Sequence, residues 1–358
     1  MDMLHYTELL AEENGQDPQS SQLWYSGLSY GTVLGSTFAA MYPDRIGRMI
    51  LDGVVDGEDY FSGRWSNNLA DADDAFRYFF ESCHEAGEDI CPFWASSPSA
   101  VEARFNTVVD KLSTSPIPVA DQQMPAIVTI SDLKNIMMQV PYAPLRYFPT
   151  FASMLVELES GTASLIARTM HIGWRTDHCI KNEIFWNEYE PRQIIACNDG
   201  AGRFNLSDYD LFLDHVAHVV NQSHYLGESW ASGTSVMCRS LDIKPPQSQI
   251  FNGYPGASKT RNPILFVSTE LDPVTPLRAA KKMRARFGGA GLLVQHSVGH
   301  ASLSVDSKCT FGHLQQYMRT GALPTEGTVC ADVDSLPFRD SSSFSMSTSG
   351  RSRRHDFL

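Results

Sequence analysis

Residues 27–31 read Gly-Leu-Ser-Tyr-Gly, a G-x-S-x-G pentapeptide that carries meaning only between a strand and a helix. Both are expected here. Gln22 to Leu28 is an apolar run of strand length, and Tyr30 to about Met41 is a small-residue helix that stops before Pro43. The turn between them forces Ser29 into a strained backbone, and side chains at positions 27 and 31 would collide, hence Gly27 and Gly31. Gly35, one turn on, lets the helix pack closely on its strand. At the helix N-terminus the backbone N–H of Tyr30 is placed to stabilise an oxyanion. A serine hydroxyl is a weak nucleophile at neutral pH, so it needs an imidazole base, itself held in one tautomer by a carboxylate.

Chain order narrows the search for those partners, because in enzymes built on this elbow the acid and then the base follow the serine, each at the carboxyl end of a later strand. After the strand-like PILFVS (263–268) comes Asp272, in a turn stiffened by Pro273 and Pro276. After GLLVQ (291–295) comes His300, in a loop behind Gly299. Ser29, Asp272 and His300 are therefore the expected catalytic set. Glu270 and Asp306 are the alternative acids, and His296 the alternative base. The sequence contains neither H-E-x-x-H nor C-x-x-C; His215 and His218, one helical turn apart, lack an evident third ligand and read as helix-surface residues. No metal or cofactor is expected.

RMILDGVV (48–55) reads as a second buried strand, giving a β-α-β unit over residues 1–55. Residues 56–261 change character: helix-like segments at 70–86, 99–112, 131–139, 149–158 and 208–220 are joined by Pro- and Ser-rich connections, without a parallel-strand rhythm or internal repeat. The strand–helix alternation returns over 262–338, with helices at 277–287 and 308–320, and the Ser-rich tail 339–358 is too polar to order itself. Residues 1–14 read as a short amphipathic helix with Met3, Leu4, Leu9 and Leu10 inward, and have none of the marks of a secretion signal.

The 358 residues, 42% hydrophobic and 19% charged, suit a folded globular protein. A net charge of −13 and the absence of a basic stripe exclude nucleic acid as a partner, and no apolar run is long enough to span a bilayer. Seven cysteines are many for a cytosolic enzyme. Their spacing suggests the pairs Cys83 with Cys91, Cys197 with Cys238 and Cys309 with Cys330, leaving Cys179 over; buried reduced thiols are the alternative. The N-x-S sequons at Asn205 and Asn221 also lean toward an extracellular, secreted protein.

With these stretches in view, the chain resembles the α/β-hydrolases with a TAP-like C-terminal domain, and is similar to the tripeptidyl aminopeptidases and, more distantly, the proline iminopeptidases. The resemblance rests on GLSYGTVLGSTFAAMYPDRIGRMILDGVVD around Ser29, the Cys83–Cys91 segment with CPFW, PILFVSTELDPVTPLRAA around Asp272, VGHASLSVDSKC around His300, and the closing Cys309 to Phe338 segment. It implies an α/β-hydrolase fold with a large, mainly helical cap insertion, and places the family's usual disulfide on Cys309 and Cys330. Family members carry several strands before the elbow, with a Gly-rich loop that donates a second oxyanion N–H. This sequence shows neither, so a partial parallel sheet with its N-terminal strands missing, and an open edge beside 22–28, is expected.

The resemblance implies a serine exopeptidase that releases short peptides from free N-termini, with cap acids holding the α-ammonium. Asp56, Glu58 and Asp59, and Glu183, Glu188 and Glu190, are the acid groups of that region, each also readable as a solvated face. The same three side chains would equally serve an esterase or lactonase whose apolar site is lined by Trp65, Trp94, Trp174, Trp186 and Trp230. The third reading is an inactive remnant or binding subunit, suggested by the missing strands.

Overall fold

A computed structural model describes residues 1–120, 125–171, 189–200, 202–204, 207–239, 245–333 and 336–338. Helix α1 (Asp2–Glu13) leads to strand β1 (Leu23–Leu28), helix α2 (Tyr30–Met41) and strand β2 (Ile46–Asp52). Met3 and Leu4 of α1 pack against the core and Ala11 is buried, but Leu9 and Leu10 face solvent. This corrects the inward assignment of that pair: the face through residues 3, 4, 7 and 11 follows the helical period, and positions 9 and 10 fall outside it.

Helices α3 (Gly57–Phe61), α4 (Ala72–Ala86) and α5 (Pro98–Thr114) follow, then strands β3 (Ile117–Val119) and β4 (Ala126–Val128). Next come helices α6 (Ile130–Gln139), α7 (Pro144–Ser160), α8 (Ser164–His171), α9 (Tyr189–Asp199), α10 (Tyr209–Val220) and α11 (Gly227–Cys238). This helical insertion has its own core, in which Phe76, Phe79, Phe80, Phe105, Phe148 and Phe151 pack together. Antiparallel β3 and β4 form a small ribbon that strand rhythm does not announce, because three residues are too few to show alternation. His215 is buried, not on the surface as its sequence suggested: it lies one turn from buried Val219 and against the Phe204 ring. Burial pulls its pKa down to about 4, so it is a neutral packing residue.

The main sheet is then completed by β5 (Leu265–Leu271), helix α12 (Leu277–Ala285), β6 (Gly291–Val298), helix α13 (Lys308–Thr320) and β7 (Val329–Cys330). All five strands are parallel, in the order β1-β2-β5-β6-β7. Central β5 is covered on both faces, so its first five residues are all buried, which is why it reads as a continuous apolar run. Phe38, Met49 and Phe266 share one core, while Ile50, Leu265 and Tyr317 share another. Strand β1 forms the outer edge, with Trp24 57% and Leu28 44% exposed.

Three disulfides are present: Cys83–Cys91, Cys197–Cys238 joining α9 to α11, and Cys309–Cys330 joining α13 to β7. They match the pairs that spacing suggested. Cys179, Asn205, Glu183, Glu188, Trp174, Trp186 and the tail 339–358 lie outside the described residues.

Candidate active site

Strands that are all parallel end on one side of the sheet, and loops at their carboxyl ends meet there. Ser29 follows β1, Asp272 follows β5 and His300 follows β6. At the first of these turns the backbone of Ser29 takes φ 53° and ψ −119°. Only glycine adopts such a conformation freely, so it is held by its surroundings. The Ser29 N–H donates to the Asp52 carbonyl at 3.0 Å, and its carbonyl accepts from the Thr32 hydroxyl at 2.7 Å. A Cβ on Gly27 would lie 2.4 Å from the Gly31 carbonyl oxygen, so the elbow closes only over glycine. Tyr25 Oη donates to that same carbonyl at 2.8 Å. Tyr30 opens α2, and its amide is one of the first-turn donors that an α-helix leaves without an internal acceptor.

Asp272 is fully buried, and its carboxylate accepts from Val274 N (3.0 Å), Thr275 N (2.8 Å), Thr275 Oγ1 (2.7 Å), Ala301 N (2.9 Å) and His300 Nδ1 (3.1 Å). Burial alone would push this carboxyl up, but the His300 imidazole and the donors of Ala301 and Thr275 outweigh it and hold the carboxyl below its ordinary value. For His300 burial works against the charged ring, and the charge and hydrogen bond of Asp272, with a smaller contribution from Asp52, raise its pKa. Because Nδ1 faces Asp272, the accepting nitrogen of the neutral ring is Nε2.

The cap also grips the base. The His300 N–H donates to the Tyr142 carbonyl at 2.9 Å, and the Tyr142 ring meets the imidazole edge-on with centroids 4.9 Å apart. Asp272 and His300 are thus in direct contact; Ser29 stands at the same sheet edge, and among the described residues its hydroxyl makes no hydrogen bond.

Comparison with known proteins places the fold among its relatives. Residues 223–330 match the family model described as TAP-like protein. The chain is 26% identical over 316 residues to serine protease Hip1 of Mycobacterium tuberculosis, and 23% identical over 321 residues to the tripeptidyl aminopeptidase of Streptomyces coelicolor. These alignments take in 86% and 87% of this chain. The chain spans about half the length of these curated relatives, 58% and 54% respectively. Residues 223–330 are therefore similar to the TAP-like proteins, on a chain with the α/β-hydrolase fold.

The alternative site residues are engaged elsewhere. Glu270 and His296 bond to each other on the surface, and Asp306 is exposed. Of the acids singled out in the cap region, Asp56 caps α3 and pairs with Lys282 at 2.9 Å, Glu58 pairs with the same lysine at 3.0 Å, and Asp59 accepts from Ser66 Oγ and Asn67 N. Among the described residues the one group of potential metal ligands is Cys309, His313 and Cys330, and its two sulfurs are consumed by the disulfide.

Four residues at the site escaped the sequence reading. Thr275 bonds both the Asp272 carboxylate and, at 3.2 Å, His300 Nδ1; the only signal was its place in the same Pro-bounded turn. Tyr142 and Asp52 act from segments that precede their partners by more than a hundred residues. Asp199, at the end of α9, accepts at Oδ2 from Tyr60 Oη (2.7 Å) and Tyr30 Oη (3.2 Å). Tyr30, Tyr60 and Trp65 line up beside it, with successive ring centroids 5.9 and 5.0 Å apart. Trp65 holds φ +50°, and among the described residues it, Ser29 and Ala301 are the non-glycine positions with positive φ.

Proposed function

We propose that this chain is a serine hydrolase working through an acyl-enzyme, and that it releases short peptides from free N-termini. Ser29 Oγ attacks the substrate carbonyl carbon while His300 Nε2 takes its proton, and the Tyr30 N–H faces the oxygen that becomes negative. Collapse of the tetrahedral intermediate breaks the C–N bond, and the leaving amine takes the proton from His300. Water then repeats the sequence on the Ser29 ester. Asp272 stays ionised and stabilises the imidazolium formed in each half. The three disulfides fit an oxidising compartment, and on this reading the protein acts outside the cell.

The observation that carries the exopeptidase reading is the Asp199 carboxylate. It is half-buried, and burial pushes its pKa up against the opposing bonds of Tyr60 and Tyr30 and the charge of Arg203. Among the described residues no cation is in ion-pair contact with it: Arg203 acts on it through its charge only and spends its guanidinium on the carbonyls of Phe61 and Phe251. A carboxylate flanked by aromatic faces suits an ammonium group. Because Tyr30 follows Ser29 directly, the anchor sits one tyrosine side chain from the elbow. Two or three extended residues, about 7 to 10 Å, bridge such a gap. The names of the relatives, serine protease and tripeptidyl aminopeptidase, agree.

The test compares kcat/KM for a tripeptide coumarylamide with a free and with an acetylated N-terminus. The wild type is expected to prefer the free amine by about 10- to 100-fold, the worth of a charged hydrogen bond, and Asp199→Asn to lose that preference. Equal rates on both substrates would contradict the exopeptidase reading. Turnover of short aryl esters without peptide cleavage would favour the esterase instead.

A further inference from the structure

A second buried carboxylate lies at this site, and the chemistry proposed above does not use it. Asp52, at the end of β2, is 5% exposed. Its Oδ1 and Oδ2 accept the Ser302 N–H at 3.0 and 3.2 Å, and Oδ2 accepts the Ser302 hydroxyl at 2.5 Å. Its own carbonyl accepts the Ser29 N–H at 3.0 Å. One residue therefore holds the backbone of the nucleophile with its carbonyl and the loop of the base with its side chain. The next residue tightens the grip: Gly53 has φ +63°, and a Cβ there would lie 2.9 Å from the Ala301 Cβ. Consecutive amides of the base loop are tied in three directions, His300 to the cap at Tyr142, Ala301 to Asp272 and Ser302 to Asp52.

We propose that Asp52 is a positioning residue for acyl transfer, setting the His300 ring relative to Ser29 by gripping Ser302, with its negative charge facing the imidazolium that forms during reaction. The inference rests on the hydrolase reading above. It accounts for a carboxylate where a neutral acceptor would fill the same space, since an ion buried without a cationic partner is costly. Burial pushes the Asp52 carboxyl up and the Ser302 bonds oppose that shift.

The decisive variants are Asp52→Asn, which keeps shape and removes charge, and Ser302→Ala, which keeps charge and removes the hydroxyl. Ser302→Thr serves as the conservative rescue. Each is assayed per fluorophosphonate-reactive Ser29, so that lost folding is not counted as lost rate. The groups facing His300 are Asp272 and Thr275 from the turn after β5, Tyr142 from the cap and Asp52 from β2. Asp52→Asn is expected to lower kcat by up to about 100-fold with KM little changed, and to shift the acid limb of the kcat/KM profile to lower pH. Ser302→Ala is expected to lower kcat without moving that limb, and Ser302→Thr to recover most of the rate. An Asp52→Asn protein with wild-type kcat per reactive serine and an unmoved limb overturns the proposal, even if it melts earlier. If Asp52→Asn does not fold, wild-type kcat in Ser302→Ala overturns it. A wild type that does not react with the probe removes the hydrolase reading and this one together, whereas a reactive wild type indistinguishable from both variants removes this one alone.

Discussion

Asp272 and His300 shift each other in opposite directions, and the signs have separate consequences for folding and for rate. The carboxyl of Asp272 is held below its unfolded value, so its contribution to stability is present above about pH 3.9 and is lost as pH falls through the folded value. His300 is raised, so its contribution is full below about pH 6.5 and is lost as pH rises through the folded value. Catalysis requires the neutral ring, so activity rises where that stabilisation fades. The acid limb of kcat/KM is expected above pH ~6.5. Asp272→Asn is expected to move it downward and to cut kcat by about 10⁴-fold, both read from one set of pH–rate profiles. Ser29, Asp272 and His300 were candidates in the sequence because a motif and a chain order name them. Asp199 and Asp52 were not: a single acid carries no local signature, and only the tertiary fold brings phenols or a serine loop to it.

The elements of the sheet were legible for a related reason. Helices α2 and α13 follow the bounds that their end signals suggest, and buried β5 and β6 show as apolar runs. The cap was read less well. Helices α4, α5, α6, α7 and α10 show in the pattern, but α3 and α8 are short and α9 and α11, though of ordinary length, are weakly amphipathic, so packing rather than their own periodicity selects the helix. Strand β7, two residues long, is held by its neighbours: it pairs with β6 and its Cys330 is bonded to α13. The Cys309–Cys330 bond closes a loop with a sequence separation of 21. Replacing both cysteines by serine is expected to cost about 3 kcal/mol on the chain-entropy account, seen as a lower Tm in calorimetry. An unchanged Tm would mean that β7 and α13 are held by packing alone.

On the scale of the whole molecule, one sheet edge gathers everything the proposed chemistry needs, and three layers converge on it. The sheet supplies Ser29, Asp272 and Asp52; the base loop supplies His300; the cap supplies the Tyr142 carbonyl and Asp199. Strand β1 remains an outer edge with Trp24, Leu28 and neighbouring Leu34 exposed, an arrangement that favours pairing with further β-structure. The open edge was expected from the family resemblance, whose members carry strands before the elbow, whereas the cap's contribution to the site depended on contacts across more than a hundred residues. The proposed function turns on proton transfer from the Ser29 hydroxyl to His300, and covalent labelling reads it most directly. Folded protein treated with a fluorophosphonate probe, digested and mapped by mass spectrometry, is expected to carry the adduct on Ser29. The adduct should be absent in Ser29→Ala and slow to form in His300→Ala. Folded wild-type protein that remains unlabelled at Ser29, or labels equally fast without the imidazole, would contradict the account.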